Sequence, residues 1–530
     1  MTRFLSRPLL LLITTVLLAV AVLVVQRTGN VSSATLQEEP LGQTDTTPNS
    51  CRYGTSGIGT HANFVDDMRL GWIIDFNARP PSPIAGVEYM PTVRIEQQRD
   101  GSGARINAYN LVSPPSMAAL ETLVSNNPGL VWQIGNEVDR YQWQDDLWPQ
   151  AYAKAYHDIY YTIKANDPTA QVAPSALVEV TPGRLQYLDI VWNEYRRLYG
   201  EPMPVDVWNM HIYILPEAEY DQNGNLVYSR AAIALGTDPS LAILFSGGNP
   251  ALCGNTNVYC YAEHDDINIF IEQVVAMRTW MKAHGQQNKP LILTEFGTLY
   301  PYREASDPPE GSCDTCYSLK DEYGNVFDRT RVTNFMNATL DYLENTTDPA
   351  LGYPDDNYRL VQQWNWYAIQ DGSPFFSSNL VQDDGSALTP MGQTYKARNI
   401  AQGFDINLRL SQTYAIPVWS GGGTATARLT ATIRNNGNVP TQAPVKVTFA
   451  SDAGMNNVIG EVEIPAGVMG CATRPYTVSV DWPGLTPGLH RYWVKVDREN
   501  VIPETVEGDN SGSSFVLVDP QQMLLPRLTR

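Results

Sequence analysis

The chain has 530 residues, 43% of them hydrophobic, enough for two or more domains around a large core. Its 36 Lys and Arg against 56 Asp and Glu leave a formal charge of −20, and so acidic a surface repels phosphate backbones, which excludes nucleic acid as the expected partner. Twelve Trp and 28 Tyr offer flat aromatic faces of the kind that hold sugar rings, although most aromatic side chains in a globular chain pack the core.

The first stretch, MTRFLSRPLLLLITTVLLAVAVLVV, sets Arg3 and Arg7 ahead of an apolar run from Leu9 to Val25. That is the layout of an export signal, and the run is near the lower length limit for a membrane span. Ser32 and Ala34 supply small residues for cleavage, so residues 1–27 read as a cleaved signal or a retained anchor. Either reading places the remainder outside the cytoplasm, secreted or held at the cell surface, with association to the membrane or envelope through this segment. Residues 28–50 are polar and without hydrophobic period, a flexible linker.

From residue 51 short apolar runs alternate with helix-like stretches. The runs are YGTSGIG (53–59), GWIIDFN (71–77), PTVRIEQ (91–97), LVWQIGNE (130–137), AQVAPSAL (170–177), VDVWNMHIY (205–213), PLILTEFG (290–297) and RLVQQWNWY (359–367). Among the intervening helices, PQAYAKAYHDIYYTIKAN carries Tyr152, Tyr156, Ile159, Tyr160 and Ile163 at helical spacing. Eight strands alternating with helices over residues 51–402 predict a closed (β/α)8 barrel of the α/β class. The rival, a doubly wound open sheet, would carry a Gly-rich phosphate loop after the first strand, and YGTSGIGTH lacks the full pattern. Two long loops, 214–264 and 298–327, follow the sixth and seventh strands on the face where barrel active sites are built. Each contains a close cysteine pair, Cys253 with Cys260 and Cys313 with Cys316, leaving Cys51 and Cys471. In an oxidising compartment the close pairs read as loop disulfides; a four-Cys zinc site is the alternative. Residues 403–519 change to short alternating strands punctuated by Gly, Asn and Pro, an all-β sandwich, followed by a tail at 520–530.

Two strand ends carry chemistry. Glu137 closes the fourth predicted strand and Glu295 the seventh, so in a parallel barrel both side chains project into one mouth. Paired carboxylates across a cleft are what glycoside hydrolysis needs, one ionised and one protonated, and mutual repulsion helps separate their pKa values. Asn-Glu recurs at Asn193-Glu194, but inside an amphipathic helix, where it is a solvated face; strand-end position is what gives Asn136-Glu137 weight.

On WQIGNEVD, PLILTEFG, VWNMHIY and QQWNWYAIQDG, residues 51–402 resemble glycoside hydrolase clan A, the retaining (β/α)8 glycosidases. The resemblance implies Glu137 as acid/base, Glu295 as nucleophile and Asn136 on the sugar 2-hydroxyl. It also implies His211 lining the mouth, Tyr213 donating to the nucleophile, and Trp366, or alternatively Trp364, as a platform under the sugar. It requires no metal and no organic cofactor. Val138 stands where many members have Pro, and the second strand lacks their Arg, with Arg94 on the third strand nearby. The end, VDRENVIPETVEGDNSGSSFVLV, resembles the Ig-like CARDB module of bacterial surface proteins, with Asp497, Asn500, Glu504, Glu507 and Asn510 in its acidic hairpin. This module implies spacing or adhesion.

The expected function is an exported retaining hydrolase of β-linked oligo- or polysaccharide, with carboxyl groups about 5–5.5 Å apart. Trp72, Asp75, Asn77, Trp143 and Trp148 are candidates for further subsites. The alternatives are an inactive barrel serving carbohydrate binding or cell-surface adhesion, a surface protein in which the barrel is a spacer, and a transglycosylase using the same pair.

Overall fold

In the computed structural model, which describes residues 48–520 except 58–60, 81–83, 85, 143, 215–216, 221–222, 224, 229–232, 244–263, 299–324, 326, 371–377 and 383, every one of the eight apolar runs overlaps a parallel strand. In chain order the strands are β1 (Ser50–Ser56), β2 (Leu70–Asp75), β3 (Glu88–Arg99), an antiparallel partner to it β4 (Arg105–Ser113), β5 (Val131–Ile134), β6 (Gln171–Pro174), β7 (Trp208–Ile212), a small hairpin β8 (Ala218–Tyr220) and β9 (Leu226–Tyr228), β10 (Leu291–Phe296) and β11 (Gln363–Trp366). The helices are α1 (Ala62–Asp67), α2 (Met117–Asn126), α3 (Pro149–Asn166), α4 (Pro182–Tyr199), α5 (Ile267–Ala283), α6 (Arg329–Asn345) and α7 (Pro390–Ala401). The parallel strands run in the order β6-β5-β3-β2-β1-β11-β10-β7. The ring closes between β6 and β7, where Asp206 and Val207 donate backbone N–H groups to the Val172 carbonyl (3.1 and 3.4 Å) and His211 N–H donates to the Leu177 carbonyl (3.2 Å). This is a (β/α)8 barrel. The helices α1 and α6, the strand β4 and the hairpin of β8 and β9 go beyond the predicted elements.

Strand alternation sorts side chains between two apolar layers. Trp72, Ile74, Met90, Val131, Ala173, Val207 and Ile292 fill the barrel interior. Their strand neighbours Ile73, Trp132, Ile134, Val172, Trp208, Met210, Leu291 and Leu293 point outward and pack with the helices. A Cβ on Gly54 would lie 2.2 Å from the Trp72 indole, so glycine there leaves room for the ring inside the barrel. Helix α4 shows how the outer layer forms. Pro182 opens it at a position needing no N–H, Tyr187, Leu188, Val191, Trp192 and Tyr195 bury one face, and Gly200 ends it at φ +74°.

Residues beyond α7 form two antiparallel sheets, one of β12 (Leu408–Ala415), β13 (Ala425–Asn435) and β16 (Tyr476–Leu485), the other of β15 (Val458–Ile464), β14 (Val445–Ala450), β17 (Gly488–Val496) and β18 (Ser511–Val518). They face each other over Leu429, Ile433, Val447, Phe449, Val494 and Val516. The acidic hairpin serves this fold. Asp497 accepts from the N–H groups of Val501 and Ile502 (3.1 and 2.7 Å), and Glu504 from Leu408 N–H and Asn510 Nδ2 (2.5 and 3.2 Å).

The sandwich is fastened to the floor of the barrel, at the N-terminal ends of its strands, within one compact unit that begins at Pro48. Cys51 on β1 is bonded to Cys471 across 420 residues. Beside that disulfide, Arg52 reaches the Asn436 carbonyl (3.1 Å), Gln171 the Thr473 carbonyl (2.7 Å) and Arg474 the Glu88 carboxylate (2.8 Å). The close cysteine pairs, Trp143, most of the two long loops and the N-terminal segment lie outside the described residues. No helix among the described residues is long and apolar enough to cross a membrane.

Candidate active site

The end of β5 is a sharp turn. Gly135 leaves the strand at φ +80°, and Glu137 sits at φ +46°, an uncommon conformation for a residue with a side chain. Backbone bonds hold it there: Glu137 N–H donates to the Ala176 carbonyl and Arg140 N–H to the Glu137 carbonyl, both 3.1 Å. Such strain is retained where the surroundings over-determine it, as at functional sites.

Glu295 reaches the mouth by a different device. Along β10 and β7, Leu291 pairs with Trp208, Ile292 with Asn209 and Leu293 with Met210, but the next pair is Glu295 with His211. Thr294 is thus the extra residue of a bulge. Regular alternation would put Thr294 opposite His211 and turn Glu295 out among the helices; the bulge brings Glu295 inward and sends Phe296 out.

The two carboxylates meet over one imidazole. His211 Nδ1 lies 3.0 Å from Glu137 Oε1, and His211 Nε2 lies 3.5 Å from Glu295 Oε1. One oxygen of each glutamate and a ring nitrogen all fall within 4.8 Å of one another. Tyr213 Oη donates to Glu295 Oε2 (2.8 Å) and Arg140 Nη1 to Glu137 Oε2 (3.3 Å). All but Arg140 are buried.

These partners divide the charge unequally. Burial alone would raise the Glu137 pKa, but His211 and Arg140 beside it outweigh that and hold the carboxyl down at about 2. Glu295 is pushed up to about 7 by burial and the facing Glu137 carboxylate, which His211, Tyr213 and Arg140 only partly offset. Burial would lower His211; Glu295 and Glu137 outweigh it and raise the ring above its usual value. Burial keeps Tyr213 well above the usual phenol range, so it remains a donor. These opposite shifts bias the pair toward protonation of Glu295 before Glu137. That is the reverse of the ionisation that the clan A resemblance implies for the reacting state.

Asp145 supports this arrangement: its Oδ2 accepts from Asn136 N–H (2.9 Å) and Ile95 N–H (3.2 Å), and its Oδ1 from Arg94 Nε (2.5 Å). Asn136 is held at both ends of its amide, accepting from Gln133 Nε2 (3.1 Å) and donating to Gln144 Oε1 (3.3 Å). Behind Glu137, Asp139 pairs with Arg184, which also pairs with Glu217 (3.0 Å); Glu217 accepts from Ile243 N–H (2.8 Å) and so fastens the loop after β7. Sequence reasoning missed Arg140, Asp145, Asp139 and Arg184.

The expected aromatic platform requires correction. Trp364 and Trp366 are two residues apart on β11 and share one face, which is the outer one. Trp364 packs against Tyr53, and Trp366 against Phe296, with Nε1 donating to the Ser378 carbonyl (2.9 Å). The next residue, Tyr367, is only partly buried and lies 6.4 Å from Tyr213 and 6.2 Å from Phe76, ring to ring. Trp72 likewise belongs to the buried barrel interior rather than a subsite, Asp75 is engaged by Arg79 and Tyr89, and Asn77 N–H bonds Asp75 (3.0 Å). Trp148 stands 38% exposed at the start of α3, and Glu194 pairs with Arg197 on the α4 surface.

Among the described residues only Glu137, His211 and Glu295 place donor atoms close enough to share a cation. The Arg140 guanidinium on Glu137 Oε2 disfavours one there.

No protein-family model matches the chain, nor does any curated protein. Among solved structures, a GH128 (subgroup I) endo-beta-1,3-glucanase from Amycolatopsis mediterranei is 13% identical over 66% of this chain and 99% of its own, with a TM-score of 0.38. A GH128 (subgroup III) curdlan-specific exo-beta-1,3-glucanase from Blastomyces gilchristii is 17% identical over the same shares, with a TM-score of 0.36. A CARDB domain from Pyrococcus furiosus is 18% identical over 22% of this chain and 94% of its own, with a TM-score of 0.18. With such low similarity, the functional reading rests on the site itself.

Proposed function

We propose that the chain is an exported retaining glycoside hydrolase acting on β-linked oligo- or polysaccharide, with Glu295 as nucleophile and Glu137 as acid/base. The observation that carries this is two buried carboxylates from opposite sides of the barrel mouth whose oxygens approach within 4.8 Å. That spacing suits attack by one carboxylate, whereas an inverting pair stands about 6.5–9.5 Å apart to admit water.

In the reacting state Glu295 is ionised and Glu137 carries the proton. Glu295 forms a bond to the anomeric carbon as the glycosidic C–O bond breaks and Glu137 passes its proton to the departing oxygen. Glu137, now ionised, takes a proton from water as the water oxygen attacks the same carbon, releasing Glu295. Tyr213 stabilises the ionised nucleophile, and Tyr367 offers the aromatic face beside it.

A screen of β-linked glycans with wild type and Glu295→Ala tests the proposal: turnover that survives unchanged in the variant removes it. The upward shift at Glu295 and the downward shift at Glu137 favour a second reading with the two roles exchanged. Trapping with 2-deoxy-2-fluoroglycosyl fluorides decides by mass spectrometry, since the adduct forms on Glu295 in the first reading and on Glu137 in the second.

A further inference from the structure

In the mechanism proposed above the carboxylate pair shares one proton, and the residue between the two is His211. Its ring is fully buried, and each nitrogen faces a different carboxylate, Nδ1 toward Glu137 at 3.0 Å and Nε2 toward Glu295 at 3.5 Å. Nε2 makes no hydrogen bond in this state, so a buried polar atom is left aimed at Glu295. The charged and titratable groups around the ring are Glu137, Asp139 and Arg140 from the turn after β5, Glu295 from β10, and Tyr213 just beyond the end of β7, with Tyr367 past Tyr213.

We propose that His211 is a proton relay that moves the shared proton from Glu295 to Glu137 by exchanging its own tautomer. In the free site the ring carries hydrogen on Nδ1, donated to ionised Glu137, and turns the Nε2 lone pair to protonated Glu295. The Glu295 O–H bond breaks as an Nε2–H bond forms, and the Nδ1–H bond breaks as a Glu137 O–H bond forms. The products are ionised Glu295, protonated Glu137 and a neutral ring with hydrogen on Nε2. No atom or charge is gained or lost. The Nε2 gap needs to shorten by only a few tenths of an ångström to become an ordinary hydrogen bond, a tightening common when substrate binds. The direction of the exchange rests on the glycosidase reading above; the coupling of tautomer to proton position does not. His211 is therefore a positioning residue acting through both glutamates.

The test reads the tautomer directly by NMR of full-length protein with 15N-labelled histidine, whose six residues are assigned with His→Gln variants. In wild type and in Glu295→Gln, whose amide mimics the protonated acid and donates to Nε2, hydrogen should sit on Nδ1. In Glu137→Gln, whose amide donates to Nδ1 instead, it should move to Nε2. One tautomer in all three proteins, or a doubly protonated ring throughout, would overturn the relay. A second arm uses His211→Gln, which fills the site without two exchangeable ring nitrogens. Its kcat should fall about 100-fold with KM nearly constant, within the range general acid catalysis supplies; a change confined to KM would mark a merely structural role. If wild type turns over no glycan, the glycosidase reading fails while the tautomer result still judges the relay.

Discussion

At the floor of the barrel, Arg52 donates two hydrogen bonds to Asp356 (2.6 and 2.7 Å) and one each to the carbonyls of Gln362 and Asn436 (2.9 and 3.1 Å). At the mouth, Glu137 and Glu295 face one histidine. Both ends bury ionisable groups, but at the mouth the Nε2 of His211 is left without a hydrogen bond. A satisfied pair has one stable arrangement and holds the sandwich to the barrel; a pair with a hydrogen-bonding atom left over can rearrange when substrate binds, as the proposed proton transfer requires. This agrees with the general division of barrels into a stabilising N-terminal face and a reactive C-terminal one.

Glu295→Ala should lower kcat/KM at least about 10⁴-fold, a loss of some 5–6 kcal/mol of transition-state stabilisation, without lowering thermal stability at pH 8. At the floor the pattern should invert: Asp356→Ala strands the buried Arg52 charge and should cost about 3–5 kcal/mol of stability, read from chemical denaturation, while folded protein keeps its KM. Loss of activity without loss of stability in that variant would erase the distinction between the two ends.

A subtler test uses pH. The Glu295 carboxyl is raised from 4.5 to about 7, so the native state binds its proton more tightly than the unfolded chain does. The stability this contributes is fully present below about pH 4.5 and is lost as pH rises through 7, on the order of 3 kcal/mol by linkage. Glu137 has the opposite sign: its depressed value stabilises the fold above pH 4.5, and that is lost only toward pH 2. Between pH 5 and 8 the melting temperature of wild type should therefore fall by several degrees relative to Glu295→Gln, whose amide is neutral throughout. Parallel curves for the two proteins would show that the mouth is not frustrated in this way.

Much of this was legible in the residues, because barrel strands announce themselves as apolar runs and both glutamates stand at strand ends. Register was not. One bulged residue, Thr294, decides whether Glu295 faces the mouth or the helices, and nothing in LILTEF marks it. Parity was available but misapplied: Trp364 and Trp366 are two apart and must face the same way, so treating them as alternatives overlooked Tyr367 on the opposite face. The hairpin of β3 and β4 had its signal in the Asp-Gly of QQRDGSGARIN. Arg140 and Asp145 are ordinary loop residues until the turn at Glu137 folds them against the site. The bond between Cys51 and Cys471 was hinted at only by the close pairing of the other four cysteines, since partners 420 residues apart leave no local trace.

The smallest expected effect concerns the hydroxyl on Glu295. Tyr213→Phe removes the 2.8 Å hydrogen bond while leaving the ring in place. Because that bond favours the ionised carboxyl, its loss should raise the Glu295 pKa still further, and the alkaline limb of the kcat/KM profile, where the pair gives up its one proton, should move to higher pH. Activity at the optimum should fall about 10-fold, as expected for one hydrogen bond to a charged group worth some 1.5–3 kcal/mol, with stability changed little. A limb that moved to lower pH would mean that Tyr213 stabilises the protonated acid instead, and would shift the weight toward exchanged roles for the two glutamates.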